Sequence, residues 1–276
     1  MNFTNPSLSI LNEKKLYIFD MDGTIYLGNQ VFPFAIRFIK NLRAAGKRVL
    51  FFTNNASHSP DFYLNKLTRL GFEPTADEIM TSGDVTIEFL RRHRAGKSVY
   101  LVGTDELVNN FRQKGINLLT GDEEKADIVI TSFDTTLTYK KLDDACRLVR
   151  GGAEYLSTHP DFNCPTETGF IPDSGAIAAF VTASTGKVPT YFGKPYKETV
   201  EMICEATGCT KEEMCIFGDR LYTDIALGKK FGVTSVLVLS GETQPSDVDA
   251  AAEADQPDFV FNSLDDVDRV MFPYGV

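Results

Sequence analysis

Two aspartates one residue apart, Asp20 and Asp22, follow the apolar run Leu16, Tyr17, Ile18 and Phe19 and precede Gly23. Carboxylates this close repel each other unless a cation lies between them, and hard divalent cations such as Mg2+ prefer oxygen ligands of this kind. Gly23 allows a sharp turn and a close approach of the backbone to an anion. An ordinary acidic turn after a strand has the same appearance, so the pair gains weight only from what the rest of the chain places beside it.

Three further stretches repeat the arrangement of a buried run that ends in polar groups. The run 48–53 ends in Thr53, Asn54 and Asn55; Lys194 stands between Gly193 and Pro195; and the run 214–217 ends in Gly218, Asp219 and Arg220, with Asp224 five residues after Asp219. Each has a plain structural reading too. Asn55 suits an Asx turn or the cap of a helix at 60–70, a lysine between glycine and proline suits a turn, and Asp224 suits a helix start.

Taken together the groups match one chemistry. An aspartate, Asp20, attacks phosphorus and forms an aspartyl-phosphate, and a cation must offset the repulsion between carboxylate and phosphate. Mg2+ would be held by Asp20, the backbone carbonyl of Asp22 and Asp219, with Asp224 orienting metal-bound waters. Lys194 adds fixed positive charge beside the phosphoryl oxygens, and Thr53, with Asn54 beside it, donates toward the transferring group. Asp22 protonates the leaving alkoxide and then deprotonates the attacking water.

The elements that must position these groups follow from the hydrophobic pattern. Leu16 to Phe19 are apolar on both faces, as strands of a parallel sheet are, and such sheets bind ligands at the carboxyl ends of their strands. The pattern predicts helices at 34–45, closed by Gly46, at 60–70 and at 197–207, and strands at 48–53, 214–217, 235–239 and 259–261, with a short last helix. Between them the alternation begins afresh: a helix to about residue 93, strands at 98–102, 127–131 and 154–158, and helices at 106–114, 139–149 and 176–184. This block lacks acidic pairs at its strand ends, apart from the single Asp134 after 128–130. It reads as a second domain inserted between hinges near Ser82 and Gly186, so that 1–82 with 186–276 form the core and 83–185 the insertion. The segment 159–175 has three prolines, two glycines and no apolar period, and is expected as a long loop, a place where function concentrates. Asp161, Asn163 and Glu167 are its candidate substrate contacts, and Asp173 with Ser174 are expected to cap the next helix.

At 276 residues, with 43% hydrophobic and 24% charged content, the chain has room for two globular domains. A net charge of -10 argues against a nucleic-acid surface, and no apolar run reaches membrane-spanning length. The first residues are too polar for a signal peptide, so a cytoplasmic location is expected. Cys146, Cys164, Cys204, Cys209 and Cys215 form no CxxC pair and are expected as free thiols; His58 and His93 are expected to be solvated.

The motifs DMDGT at 20–24, TNN at 53–55, GKP at 193–195 and GDRLYTD at 218–224 resemble, in order, the four motifs of the haloacid dehalogenase superfamily of phosphatases. The insertion between the second and third resembles the type II cap of the NagD-like subfamily, whose members act on nucleotides, phosphoglycolate, 4-nitrophenyl phosphate and pyridoxal phosphate. The resemblance spans nearly the whole chain. It implies an α/β fold with a Rossmann-like parallel-sheet core and an inserted α/β cap, Mg2+ as cofactor, and Asp20, Asp22, Thr53, Asn54 and Lys194 as catalytic residues. Asp20, Asp22, Asp219 and Asp224 would form the metal site. The implied partner is a small phosphorylated metabolite, without nucleic acid or membrane, and a homodimer is left open. One departure is Pro172-Asp173-Ser174-Gly175, where relatives carry a PGxG-like turn. A phosphomutase or other phosphotransferase would use the same core. A phosphoacceptor signalling module would leave Asp22 and the insertion without purpose.

Overall fold

The structure, a computed structural model, describes residues 5–166 and 168–273. The chain divides into two compact units. One contains the residues through Thr53, Leu64–Met80 and the residues from Val200; the other contains Asn54–Tyr63 and Thr81–Thr199. The insertion expected at 83–185 lies inside the second unit, which also takes in 54–63, 81–82 and 186–199.

In chain order the strands are β1 (Leu16–Phe19), β2 (Tyr26–Leu27), β3 (Gln30–Val31), β4 (Arg48–Thr53), β5 (Ile79–Thr81), β6 (Ser98–Val102), β7 (Asn117–Leu118), β8 (Ile128–Thr131), β9 (Glu154–Ser157), β10 (Asn163–Thr166), β11 (Gly169–Pro172), β12 (Thr190–Tyr191), β13 (Met214–Gly218), β14 (Thr234–Val238) and β15 (Phe259–Phe261). In the first unit the sheet order is β15-β14-β13-β1-β4-β5, with β1 central and parallel to both of its neighbours. All four residues of β1 are buried, which is why its sequence is apolar throughout rather than alternating. Phe19 stacks on Phe217 at 4.9 Å and meets Phe38 of the helix Pro33–Ala44 edge-on. This aromatic packing fixes β1 against β13 directly beneath the loops that carry the aspartates.

The second unit has its own parallel sheet, in the order β12-β9-β8-β6-β7. Its core gathers Tyr100, Val129, Leu148, Tyr155 and Val181 from three strands and two helices, Tyr139–Arg150 and Ser174–Thr185.

One expectation is corrected. The segment 159–175 is not an irregular loop: β10 and β11 form an antiparallel hairpin, with Asn163 opposite Pro172 and Thr166 opposite Gly169. Pro165 and Pro172 argued against strands, but a two-stranded ribbon has open edges where a missing N–H costs little. The polar stretch after β14 contains a short helix, Pro245–Ala250, started by proline and a capping box on Gln244 and Asp247. All five cysteines are free. Among the described residues no helix is long and apolar enough to cross a membrane.

Candidate active site

The register of the first sheet decides which side chains meet. Phe19 pairs with Phe217 on one side and Phe51 on the other, so Asp20, Asp219 and Thr53 all leave the sheet at the carboxyl end of three adjacent strands. Carboxylate oxygens of Asp20, Asp219 and Asp224 lie within 4.8 Å of one another. Asp20 is half-buried, while Asp219 and Asp224 are 2% and 1% exposed.

Three glycines make this crowding feasible. A Cβ on Gly23 would stand 2.3 Å from Asp219 Oδ2, one on Gly241 1.9 Å from the same atom, and one on Gly218 2.2 Å from Asp224 Cγ. Gly23 also has φ +87°, a conformation that side chains other than glycine's rarely adopt. The Glu242 N–H donates to Asp219 Oδ2 at 2.7 Å, and the Ser240 hydroxyl donates to the Gly23 carbonyl at 2.8 Å. Asp224 sits in a short π-helix, Leu221–Ile225, and accepts from the Thr223 hydroxyl at 3.0 Å.

Asp219 Oδ1 is buried with no hydrogen-bond partner among the described residues. Burial pushes its carboxyl up to about 6, with Asp224 adding to the rise; Arg220 and the Glu242 N–H oppose it. A buried acceptor without a donor, beside two more carboxylates, is an arrangement that a divalent cation completes. The donor set is all oxygen, which suits Mg2+ or Ca2+ rather than a metal that favours nitrogen or sulfur.

Asp22 lies on the turn closed by the Gly23 N–H to the Tyr26 carbonyl at 2.7 Å. Burial raises its carboxyl above the usual range, and Lys66 is the first of the groups that oppose the rise, followed by the Gly28 N–H and Arg220. Lys66 Nζ rests 3.9 Å above the Tyr26 ring. A carboxyl held above its ordinary value is suited to giving up a proton and taking it back.

In the second unit Asn54 and Lys194 are brought together. The Lys194 N–H donates to Asn54 Oδ1 at 2.8 Å, and Asn54 Nδ2 donates to the Lys194 carbonyl at 3.0 Å. The same amide reaches Asp161 at 3.2 and 3.3 Å, and the Ser82 hydroxyl donates to the Asn54 carbonyl. Lys194 is 1% exposed and Asp161 5%. Asn163 is exposed on β10, and Glu167 lies outside the described residues. Asp173 caps its helix by accepting from the Ser174 N–H at 2.6 Å, and Asn55 forms an Asx turn onto Ser57 at 3.0 Å.

Sequence reasoning missed the support given by Ser240, Gly241 and Glu242, because a main-chain donor leaves no mark in residue type. It also missed Lys66, which reads as one more surface lysine on the helix Pro60–Arg69. His58, expected to be solvated, has a side chain 39% exposed, and its Nδ1 is 2.7 Å from Glu106 while its ring stacks on Phe62 at 3.8 Å.

A parallel α/β core with an inserted α/β unit, and carboxylates converging at the ends of adjacent strands, defines a class that the family comparisons identify. Residues 17–117 match the haloacid dehalogenase-like hydrolase family and residues 191–267 the HAD-hydrolase-like family. The chain belongs to the haloacid dehalogenase superfamily, in its NagD-like branch, and is a phosphoric monoester hydrolase. It is 33% identical to an acid sugar phosphatase of Staphylococcus saprophyticus over 92% of this chain and 96% of that protein. Among solved structures it resembles a 4-nitrophenylphosphatase of Thermotoga maritima, with TM-score 0.88 and 42% identity over 94% of this chain and 98% of the other. It also resembles a glycerol phosphate phosphatase of Mycobacterium tuberculosis in complex with calcium, with TM-score 0.85 and 30% identity over 93% and 75%.

Proposed function

We propose that the protein hydrolyses small phosphate monoesters with Mg2+ through an aspartyl-phosphate on Asp20. The observation that carries this reading is the convergence of Asp20, Asp219 and Asp224 within 4.8 Å at the carboxyl ends of adjacent strands. Asp20, Asp219, Asp224 and the main chain of Asp22 would hold the ion, which offsets carboxylate and phosphate charge when bound. An oxygen of Asp20 attacks phosphorus, the bond from phosphorus to the ester oxygen breaks, and Asp22 gives its proton to the departing alkoxide. Asp22 then takes a proton from water as that water attacks phosphorus, freeing Asp20 and inorganic phosphate. Lys194, its peptide held by Asn54, supplies positive charge for the phosphoryl oxygens, and Thr53 donates to them.

The names of the relatives put sugar phosphates, 4-nitrophenyl phosphate and glycerol phosphate first among substrates to try. The direct test is a panel of these esters assayed with Mg2+ and again after chelation. Phosphate release from at least one ester, lost on chelation and restored by Mg2+, is expected. Release that survives chelation would overturn the metal assignment.

A further inference from the structure

Glu242 is bound at both ends to the loop that follows β13. Its N–H donates to Asp219 Oδ2 at 2.7 Å, while its carboxylate spans two further residues: Oε2 pairs with Arg220 Nε at 3.0 Å and Oε1 accepts from the Tyr222 hydroxyl at 2.9 Å. Residues 220 and 222 stand on either side of Leu221, where the π-helix Leu221–Ile225 that contains Asp224 begins. The segment 239–244 has no helix or strand of its own, so its place is set by such bonds. Its main chain adds another, from the Thr243 N–H to the Asp219 carbonyl at 3.1 Å.

We propose that Glu242 is a positioning residue for the metal site, whose carboxylate fastens the loop after β14 to Arg220 and Tyr222 and so holds Asp219 and the π-helix of Asp224 at the spacing a divalent cation needs. A carboxylate suits this task because its two oxygens serve two donors at once, one on each side of Leu221. Its charge alone does not explain its place. In the metal-free protein Glu242 is one more anion beside Asp20, Asp219 and Asp224, and like charges repel.

The exposure of the contacts decides where their effect is read. Glu242 has a side chain 37% exposed and Tyr222 is 53% exposed, and contacts so open to water add little to global stability. Arg220, by contrast, has a side chain only 12% exposed and is joined by the main chain to Asp219. The contacts therefore act on the placing of the ligands more than on the fold. The inference rests on the reading of Asp219 and Asp224 as metal ligands.

The test is calorimetric titration of the full chain with MgCl2, without substrate. Glu242→Ala keeps the N–H that serves Asp219 and loses only the carboxylate, so its Mg2+ dissociation constant is expected to rise about tenfold while the metal-free thermal midpoint stays nearly the same. Tyr222→Phe keeps the charge of Glu242 and removes one contact. It is expected to weaken Mg2+ binding about threefold, and to add nothing when combined with Glu242→Ala. An unchanged Mg2+ affinity in Glu242→Ala, with or without a fall in the metal-free midpoint, would overturn the proposal. So would a Tyr222→Phe variant that binds Mg2+ as tightly as the parent while Glu242→Ala does not, since charge alone would then account for the loss. Asp219→Asn, titrated in parallel, tests the metal reading separately: lost binding there upholds it whatever Glu242→Ala shows, and retained binding would remove that reading and this inference together.

Discussion

Asn54 and Lys194 grip each other through a reciprocal pair of hydrogen bonds, side-chain amide to main-chain peptide, at 2.8 and 3.0 Å. An amide is needed because it both accepts and donates, and the donor half is shared with Asp161. Asn54→Asp keeps the acceptor, removes the donor and sets a second carboxylate against Asp161. It is expected to cost roughly 1–3 kcal/mol of stability. Turnover should fall about 100-fold through the displaced Lys194. Thermal unfolding and kcat/KM check this together, and unchanged turnover would separate Asn54 from the chemistry.

The contact between Gly241 and Asp219 is tighter than any side chain permits. Gly241→Ala must push the Asp219 carboxylate or the 240–243 loop aside. The Mg2+ concentration for half-maximal activity is therefore expected to rise about 10- to 100-fold, the scale on which disturbed supports of metal ligands act. A Mg2+ titration of activity measures it. An unshifted midpoint would show that Asp219 is not held by this contact.

Without metal, Asp219 titrates near 6 rather than at the ordinary 3.8, because it is buried beside Asp224. The folded state therefore binds more protons than the unfolded one between roughly pH 4 and 6, and the metal-free protein loses stability as pH rises through that window. Cation binding requires the ionised form, so its stabilising effect grows as pH rises through the same range. Added Mg2+ is expected to raise the thermal midpoint more at about pH 7.5 than at about pH 5. Equal shifts at both would contradict the assignment of Asp219 as a ligand.

Much of this arrangement was legible beforehand because it is local. A buried strand that must end at a ligand edge leaves a sharp boundary in the sequence, and Phe19 to Asp20, Phe217 to Asp219 and the end of β4 at Thr53 all show it. What stayed hidden depends on main chain or distant pairing. The Glu242 N–H on Asp219 has no residue-type signature. The hairpin was obscured by Pro165 and Pro172, whose cost vanishes at open edges. His159 read as a loop residue, since nothing nearby in sequence announces that Asp173 returns to it.

The hairpin also divides the expected substrate contacts. Asp161 is buried against Asn54, whereas Asn163 is exposed on β10. Asp161→Ala is expected to lower kcat/KM for every ester by a similar factor, about tenfold or more, since it disturbs what holds Lys194. Asn163→Ala is expected to change the ranking of esters while leaving Mg2+ dependence unaltered. Profiles across several phosphate esters decide between them, and reversed behaviour would exchange the two roles.

The central claim is that Asp20 is the nucleophile, and the phosphoenzyme itself is the measurement that reaches it most directly. Enzyme mixed with Mg2+ and a phosphate ester, quenched in acid within a turnover and digested, is expected to carry one phosphoryl group on the peptide that contains Asp20. The adduct should be labile to hydroxylamine, as acyl phosphates are. It should be absent from Asp20→Asn, whose turnover should fall at least about 1000-fold for want of an anionic nucleophile. Phosphate release without any phosphorylated Asp20 peptide, together with an Asp20→Asn variant that retains most of its rate, would contradict the account.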